Sequence, residues 1–110
     1  MNKSTTRRGG RYGRDTSEVH VELGESFALE LPGHATGGYT WRVAQAPGVA
    51  VLRNEQILSA GSAQGAPSMQ EFEFLATQLG TGTLIMELSR PWEATPIERF
   101  MLTVAVASVS

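Results

Sequence analysis

Few residues in this chain could take part in catalysis. The only aspartate is Asp15, the two histidines are His20 and His34, and there is no cysteine. The sequence contains no HExxH helix motif, no GxSxG turn and no phosphate-binding glycine loop followed by a helix. Because an enzyme needs acids, bases or nucleophiles placed together, the sequence predicts that the protein is not an enzyme and holds no metal or cofactor. The lack of cysteine also excludes disulfides and thiolate chemistry.

Two segments are better suited to binding than to catalysis. The first runs from Gly33 to Trp41 and places a glycine-containing tip directly before an aromatic strand. The second, residues 90–96, places Trp92 between two prolines. Tryptophans exposed in loops are typical of interface hot spots, and loops held by a rigid sheet often carry function. Both segments are therefore candidates for contact with another protein.

Most of the chain, from residue 18 onward, alternates apolar and polar residues in short runs separated by glycine and proline. A period of two is typical of β-strands with one buried face, and no window shows the 3.6-residue period of a helix. The predicted strands are 19–23, 27–31, 39–45, 49–59, 69–77, 83–89 and 97–109. They predict an all-β, immunoglobulin-like sandwich of about seven strands over residues 18–110, without a disulfide and with Trp41 in its core. The pattern leaves open whether 49–59 is one kinked strand or two short ones.

Several polar residues alternate out of phase with their apolar neighbours. His20 is one, and Glu71, Glu73 and Glu87 are the others. The alternation predicts that all four lie on solvated sheet faces and that the glutamates do not form a metal site. The run Gly80-Thr81-Gly82 is predicted to be a hairpin turn.

The first 17 residues differ from the rest in composition. They carry five basic side chains and Asp15, whereas the remaining residues carry four arginines and ten glutamates. They contain Tyr12 as their one aromatic residue and no aliphatic side chain larger than the initial methionine. Such a segment buries too little to offset its ordering entropy, which predicts a disordered basic tail over residues 1–17. Its arginine–glycine run, residues 7–11, leaves weak nucleic-acid association open, although a solvated tail is the favoured interpretation.

No apolar run reaches the length of a transmembrane helix, and none follows the early positive charges as in a secretory signal. The sequence as written therefore predicts no membrane association and a cytoplasmic location. A periplasmic or secreted location is expected instead if the start of the chain has been trimmed.

Strand parity indicates which loops lie together. If successive strands run up and down, loops 33–38, 60–68 and 90–96 share one end of the sandwich, while the short turns near residues 24, 47 and 80 share the other. The three longer loops also carry the unusual residues, which is the arrangement of a binding surface at one tip.

Residues 18–108 resemble the chagasin-like family of cysteine-protease inhibitors, and three features carry the resemblance. The first is the set Thr36, Gly38, Tyr39 and Trp41, which matches the family motif Asn-Pro-Thr-Thr-Gly-Tyr-x-Trp. The second is the glycine-containing loop 61–65, which stands where the family has a glycine-rich segment. The third is Arg90-Pro91-Trp92, which matches the family motif Arg-Pro-Trp. The chain departs from the first motif because His34-Ala35 replaces Asn-Pro and Gly37 replaces the second threonine.

The resemblance implies a reversible, non-covalent inhibitor whose three loops occlude the active-site cleft of a papain-like cysteine peptidase. The peptidase-binding residues that it implies are Thr36, Gly37, Gly38, Tyr39, Gly61, Ser62, Gly65, Arg90, Pro91 and Trp92. Tyr39 is expected to support its loop from beneath, while Arg90 either reaches the partner or holds its own loop. A monomer is expected. The alternative is a binding module of the same fold that has a different protein partner.

Overall fold

The computed structural model describes residues 8–33, 38–58 and 69–108, which form eight β-strands. The strands are β1 (Arg8–Tyr12), β2 (Glu18–Glu22), β3 (Ser26–Pro32), β4 (Thr40–Gln45), β5 (Ala50–Leu58), β6 (Met69–Ala76), β7 (Gly80–Ser89) and β8 (Glu98–Ala107). None of the described ranges contains a helix long and apolar enough to cross a membrane.

The strands form two four-stranded sheets that pack face to face. The first sheet has the order β1-β3-β6-β5 and the second has the order β2-β8-β7-β4. The pairs β1–β3 and β2–β8 are parallel, and the other neighbours are antiparallel. The predicted all-β sandwich is confirmed, with β1 as a strand that the sequence pattern did not predict.

The core lies between the inner faces of the two sheets. Its residues alternate along the strands, as in β3, where Phe27, Leu29 and Leu31 are buried. The rings of Phe27 and Phe74 stack with their centroids 5.5 Å apart, which joins β3 to β6. Trp41 is 2% exposed, so its predicted place in the core is confirmed.

The long strand β5 answers the question that the sequence left open about residues 49–59. It is one strand that pairs with β6 from Ala50 to Leu58. Its register shifts between Leu52 and Asn54, so Arg53 is the extra residue of a β-bulge. The bulge explains why the alternation of the sequence breaks at this point.

The expectation of a disordered tail is wrong for the described part of residues 1–17. Residues 8–12 form β1 along the edge of the first sheet, and Tyr12 packs edge-on against Phe27 with ring centroids 6.3 Å apart. Arg11 forms ion pairs with Glu30 and Glu71. Because these acidic partners lie 19 and 60 residues further along the chain, the composition of the segment alone could not reveal them. Residues 1–7 lie outside the described residues.

The prediction of a solvated Glu71 is also wrong. This residue is only 8% exposed, because Arg11 covers it from β1 and Gln56 Nε2 donates a hydrogen bond to its Oε1 at 2.6 Å. By contrast, His20 is exposed as predicted.

The ends of the strands show how the loops are grouped. In the first sheet, the end of β3 (Pro32) and the end of β5 (Leu58) both lie opposite the start of β6 (Met69). In the second sheet, the start of β4 (Thr40) lies opposite the end of β7 (Ser89), and the start of β8 (Glu98) lies opposite Leu88, the residue before that end. A hydrogen bond from the indole of Trp41 to the carbonyl of Pro32 joins the two sheets at this end. These six strand ends define the loop end of the sandwich, and they flank the three loops that parity grouped together. The short turns lie at the opposite end, which we call the turn end.

At the turn end, Gly82 allows the backbone of β7 to lie close to the backbone of Pro47. The prediction that Gly80–Gly82 form a turn is wrong, since β7 begins at Gly80 and Gly82 pairs with Val104. A Cβ atom on Gly82 would lie 1.7 Å from the carbonyl oxygen of Pro47. The turn that contains Pro47 therefore packs directly on the backbone of β7, and only glycine fits there.

Replacing Gly82 with alanine should destabilise the fold by about 2–3 kcal/mol, because backbone must move to admit the methyl group. Urea unfolding measures this change. Gly13→Ala is the matched control, since a Cβ there meets only Asp15 Oδ1 at an ordinary 3.7 Å, and it should change the unfolding free energy by less than about 0.5 kcal/mol. Equal losses in the two variants would contradict the proposed close contact.

Candidate functional site

Half of the predicted binding residues fall within the described structure. Gly38, Tyr39, Arg90, Pro91 and Trp92 are described, and they lie at the loop end of the sandwich. The others lie outside the described residues: Thr36, Gly37, Gly61, Ser62 and Gly65. The described part of the site therefore comes from two of the three predicted loops.

Gly38 brings these two loops into contact. Its φ of +77° lies in the left-handed region that favours glycine. A Cβ atom at this position would lie 3.3 Å from Cη2 of Trp92, so the indole ring lies directly against the glycine backbone. Glycine at residue 38 therefore suits the left-handed turn, and an added Cβ would make the indole of Trp92 shift by a few tenths of an ångström.

Three side chains form a stack across the two loops. The guanidinium carbon of Arg90 lies 4.4 Å from the ring centroid of Tyr39 and 5.8 Å from that of Trp92, within the range of cation–π attraction. Tyr39 is partly buried against the core, whereas Trp92 is 71% exposed. We call Tyr39, Arg90 and Trp92 the aromatic–arginine stack. It joins a partly buried aromatic ring, through one cation, to the most exposed large apolar side chain among the described residues.

The loop that carries Trp92 has its own local contacts. The amide of Glu93 donates a hydrogen bond to the carbonyl of Arg90 at 3.0 Å, which closes a turn around Pro91 and Trp92. The carboxylate of Glu93 also lies 3.5 Å from Nη1 of Arg90. Of the two roles left open for Arg90, these contacts support holding its own loop.

A hydrogen-bonded clamp lies beneath the stack and joins the bases of two loops. The amide of Trp41 donates to Oε1 of Gln70 at 2.7 Å, and Nε2 of Gln70 donates to the carbonyl of Trp41 at 3.3 Å. The indole Nε1 of Trp41 donates to the carbonyl of Pro32 at 2.9 Å. These three bonds define the Trp41 clamp, which fixes the start of β4 against the end of β3 and the start of β6.

Gln70 is the positioning residue that sequence reasoning missed. It is 8% exposed and faces the core in phase with Phe72 and Phe74. That phase was visible in the sequence, because Gln70 falls on the same face of the predicted strand as the two phenylalanines. A polar residue at a core position signals a buried hydrogen bond, since burial without a partner is costly. Its partner on β4, however, could be found only in the folded protein.

No group of three or more potential metal-ligating side chains lies together among residues 8–33, 38–58 and 69–108. What the described site offers is an exposed indole held by a cation, a glycine turn and a buried clamp. This arrangement suits contact with another protein surface.

Residues 20–104 match the sequence pattern of a protein family, the chagasin family peptidase inhibitor I42. The chain belongs to the chagasin family of peptidase inhibitors. This membership confirms the family resemblance and the prediction that the protein is an inhibitor of cysteine peptidases rather than an enzyme.

One relative and two solved structures are similar to this protein over most of the chain. Amoebiasin-2 of Entamoeba histolytica is 24% identical over 82 residues, which cover 72% of this chain and 67% of the relative. The crystal structure of the cysteine protease inhibitor EhICP2 from Entamoeba histolytica matches with a TM-score of 0.78 at 20% identity, over 96% of this chain and 100% of that one. PbICP-C, solved in complex with falcipain-2, matches with a TM-score of 0.63 at 15% identity, over 97% and 96% of the two chains. The two solved structures show that the fold is shared.

Replacing Gln70 with leucine should destabilise the protein by about 1–3 kcal/mol, because the buried amide and carbonyl of Trp41 lose their partner. Gln45→Leu is the control, since Gln45 also donates to a carbonyl, that of Thr83 at 3.0 Å, but at an exposed position. Unfolding in urea should separate the two variants. A loss for Gln70→Leu no larger than that of the control would show that the Trp41 clamp does not stabilise the loop end.

Proposed function

We propose that this protein inhibits a papain-like cysteine peptidase by placing the loop end of the sandwich in the active-site cleft. The observation that carries the proposal is the convergence of the strand ends that flank all three loops, together with Trp92, 71% exposed, on the aromatic–arginine stack. Family membership supplies the class of target. The structure of the relative PbICP-C in complex with falcipain-2 supports a peptidase partner.

Inhibition in this mechanism is occlusion and forms no covalent bond. The inhibitor contributes no cysteine, and the peptidase is blocked because its cleft is filled. Protease–inhibitor complexes typically bury about 800 Å² on each partner. Thr36, Gly37, Gly61, Ser62 and Gly65 contribute to that area in our proposal, beside the described residues.

Each described site residue has a separate role in the proposal. Trp92 supplies the main contact, because exposed tryptophans that become buried dominate interface energetics. Arg90 and Tyr39 hold the indole before binding, and Pro91 fixes one backbone dihedral of the loop. Groups held in position before binding lose less conformational entropy when the complex forms. The stack therefore raises affinity by preorganisation as well as by contact.

Trp92→Ala should weaken inhibition of papain by about 2 kcal/mol or more, roughly 30-fold in the inhibition constant. Met101→Ala is the matched control, because Met101 is also exposed, at 56%, but lies on the outer face of β8 opposite Ile85. Titration of active papain with each purified variant gives the two constants. No inhibition by the parent protein at high micromolar concentration would overturn the proposed function, and equal losses in the two variants would overturn the role of Trp92.

Gly38→Ala should weaken inhibition beyond its effect on stability, because the new methyl group shifts the indole of Trp92 by a few tenths of an ångström. Gly24→Ala is the control, since Gly24 has a similar φ of +87° but open space around its Cβ position, at the turn end. Both variants should lose roughly 1 kcal/mol of stability from left-handed backbone strain. Only Gly38→Ala should raise the inhibition constant for papain. A similar rise for Gly24→Ala would mean that strain alone, rather than the position of Trp92, explains the effect.

A further inference from the structure

The crossover between β1 and β2 carries an arginine that contacts the core near the loop end. Residues 13–17 pass from the first sheet to the second, and the amide of Thr103 donates to the carbonyl of Ser17 at 3.0 Å. Within this crossover, Arg14 points at two buried aromatic rings. Its guanidinium carbon lies 5.5 Å from the ring centroid of Trp41 and 5.9 Å from that of Phe100.

The same guanidinium also forms an ion pair with Glu98. Glu98 is the first residue of β8, directly after the loop that carries Trp92, and it pairs with Leu88 on β7. Arg14 thus contacts two strands. Through Trp41 it contacts β4, which follows Tyr39, and through Glu98 it contacts β8, which follows the loop that carries Trp92.

We propose that Arg14 is a positioning residue for the inhibitory end of the molecule, an inference that rests on the proposed function. Two arginines connect the same pair of loops through different residues. Arg90 joins Tyr39 to Trp92, and Arg14 joins Trp41 to Glu98. Because β7 lies between β4 and β8 in the sheet, no backbone ladder connects these two strands directly. The side chain of Arg14 supplies a connection that the sheet does not.

The charges of residues 11–14 explain why this segment packs against the sandwich. Arg11 pairs with Glu30 and Glu71 on the outer face of the first sheet, and Arg14 pairs with Glu98. These two basic side chains are therefore matched to acidic groups within the chain. That matching favours an intramolecular role for residues 11–14 over the nucleic-acid association that the arginine–glycine run left open.

Arg14→Gln tests the proposal in the free protein and in the complex. Hydrogen exchange at the amides of Glu93 and Ile97, which donate to Arg90 and Leu88 at the base of the Trp92 loop, should become about threefold faster, as expected for losing a partly exposed ion pair and a cation–π contact. The inhibition constant for papain should rise by about the same factor, since both changes reflect the same loosened loop. Arg14→Lys, which keeps the charge, should restore part of both effects.

Arg99→Gln is the matched control. Arg99 also forms an exposed ion pair on β8, with Glu87 at 3.0 Å, but it contacts the outer face of the sheet. It should leave both the exchange rates and the inhibition constant unchanged. If Arg14 has a purely structural role, Arg14→Gln lowers the unfolding free energy of the protein without changing the exchange rates or the inhibition constant, and that result would overturn the proposal. Equal effects in the Arg99 variant would also overturn it. If the parent protein does not inhibit papain, the proposed function fails, and the exchange rates alone decide whether Arg14 positions the loop.

Discussion

The loop end depends on the hydrogen bonds that Trp41 makes with Gln70 and Pro32. A sandwich holds its two sheets together mainly through non-directional apolar contacts, which do not fix where one sheet ends relative to the other. The Trp41 clamp adds directional bonds at the end of β3 and at the starts of β4 and β6, which are the bases of two of the three loops. The two bonds to Gln70 are buried, and an unmade hydrogen bond is costly there. The relative position of the loop bases is therefore specified more sharply than apolar packing alone would specify it.

Ion pairs hold β1 at the edge of the first sheet. Glu30 and Glu71 lie directly opposite each other on β3 and β6, an arrangement that like-charge repulsion disfavours. Arg11 on β1 contacts both carboxylates, so one cation on the added strand offsets part of their repulsion. A segment with little apolar surface can then be ordered, because its cations meet acidic groups that the fold has already brought together.

The proposed inhibitory mechanism follows from this rigidity. A chagasin-family inhibitor needs no reactive group, so its affinity depends on presenting contact residues in a fixed arrangement. In this chain the exposed indole of Trp92 is held by Arg90 and lies against Gly38. The departures from the family motif are His34, Ala35 and Gly37, which precede Gly38 in the sequence and lie outside the described residues. Preorganisation of the described loop lowers the conformational entropy that this loop loses when the complex forms.

The sequence by itself determined the seven strands from β2 to β8, the sandwich, the burial of Trp41 and the grouping of the loop-bearing strand ends. All of these follow from local alternation and from parity, which need no knowledge of distant contacts. The family assignment also followed from short motifs such as Arg90-Pro91-Trp92. Only the tertiary structure decided that residues 8–12 form a strand, that Glu71 is buried and that Gln70 binds Trp41. Each of those facts depends on a partner 19 to 60 residues away in the chain, and side-chain pairing over such distances is set by how the sheets pack rather than by any local pattern.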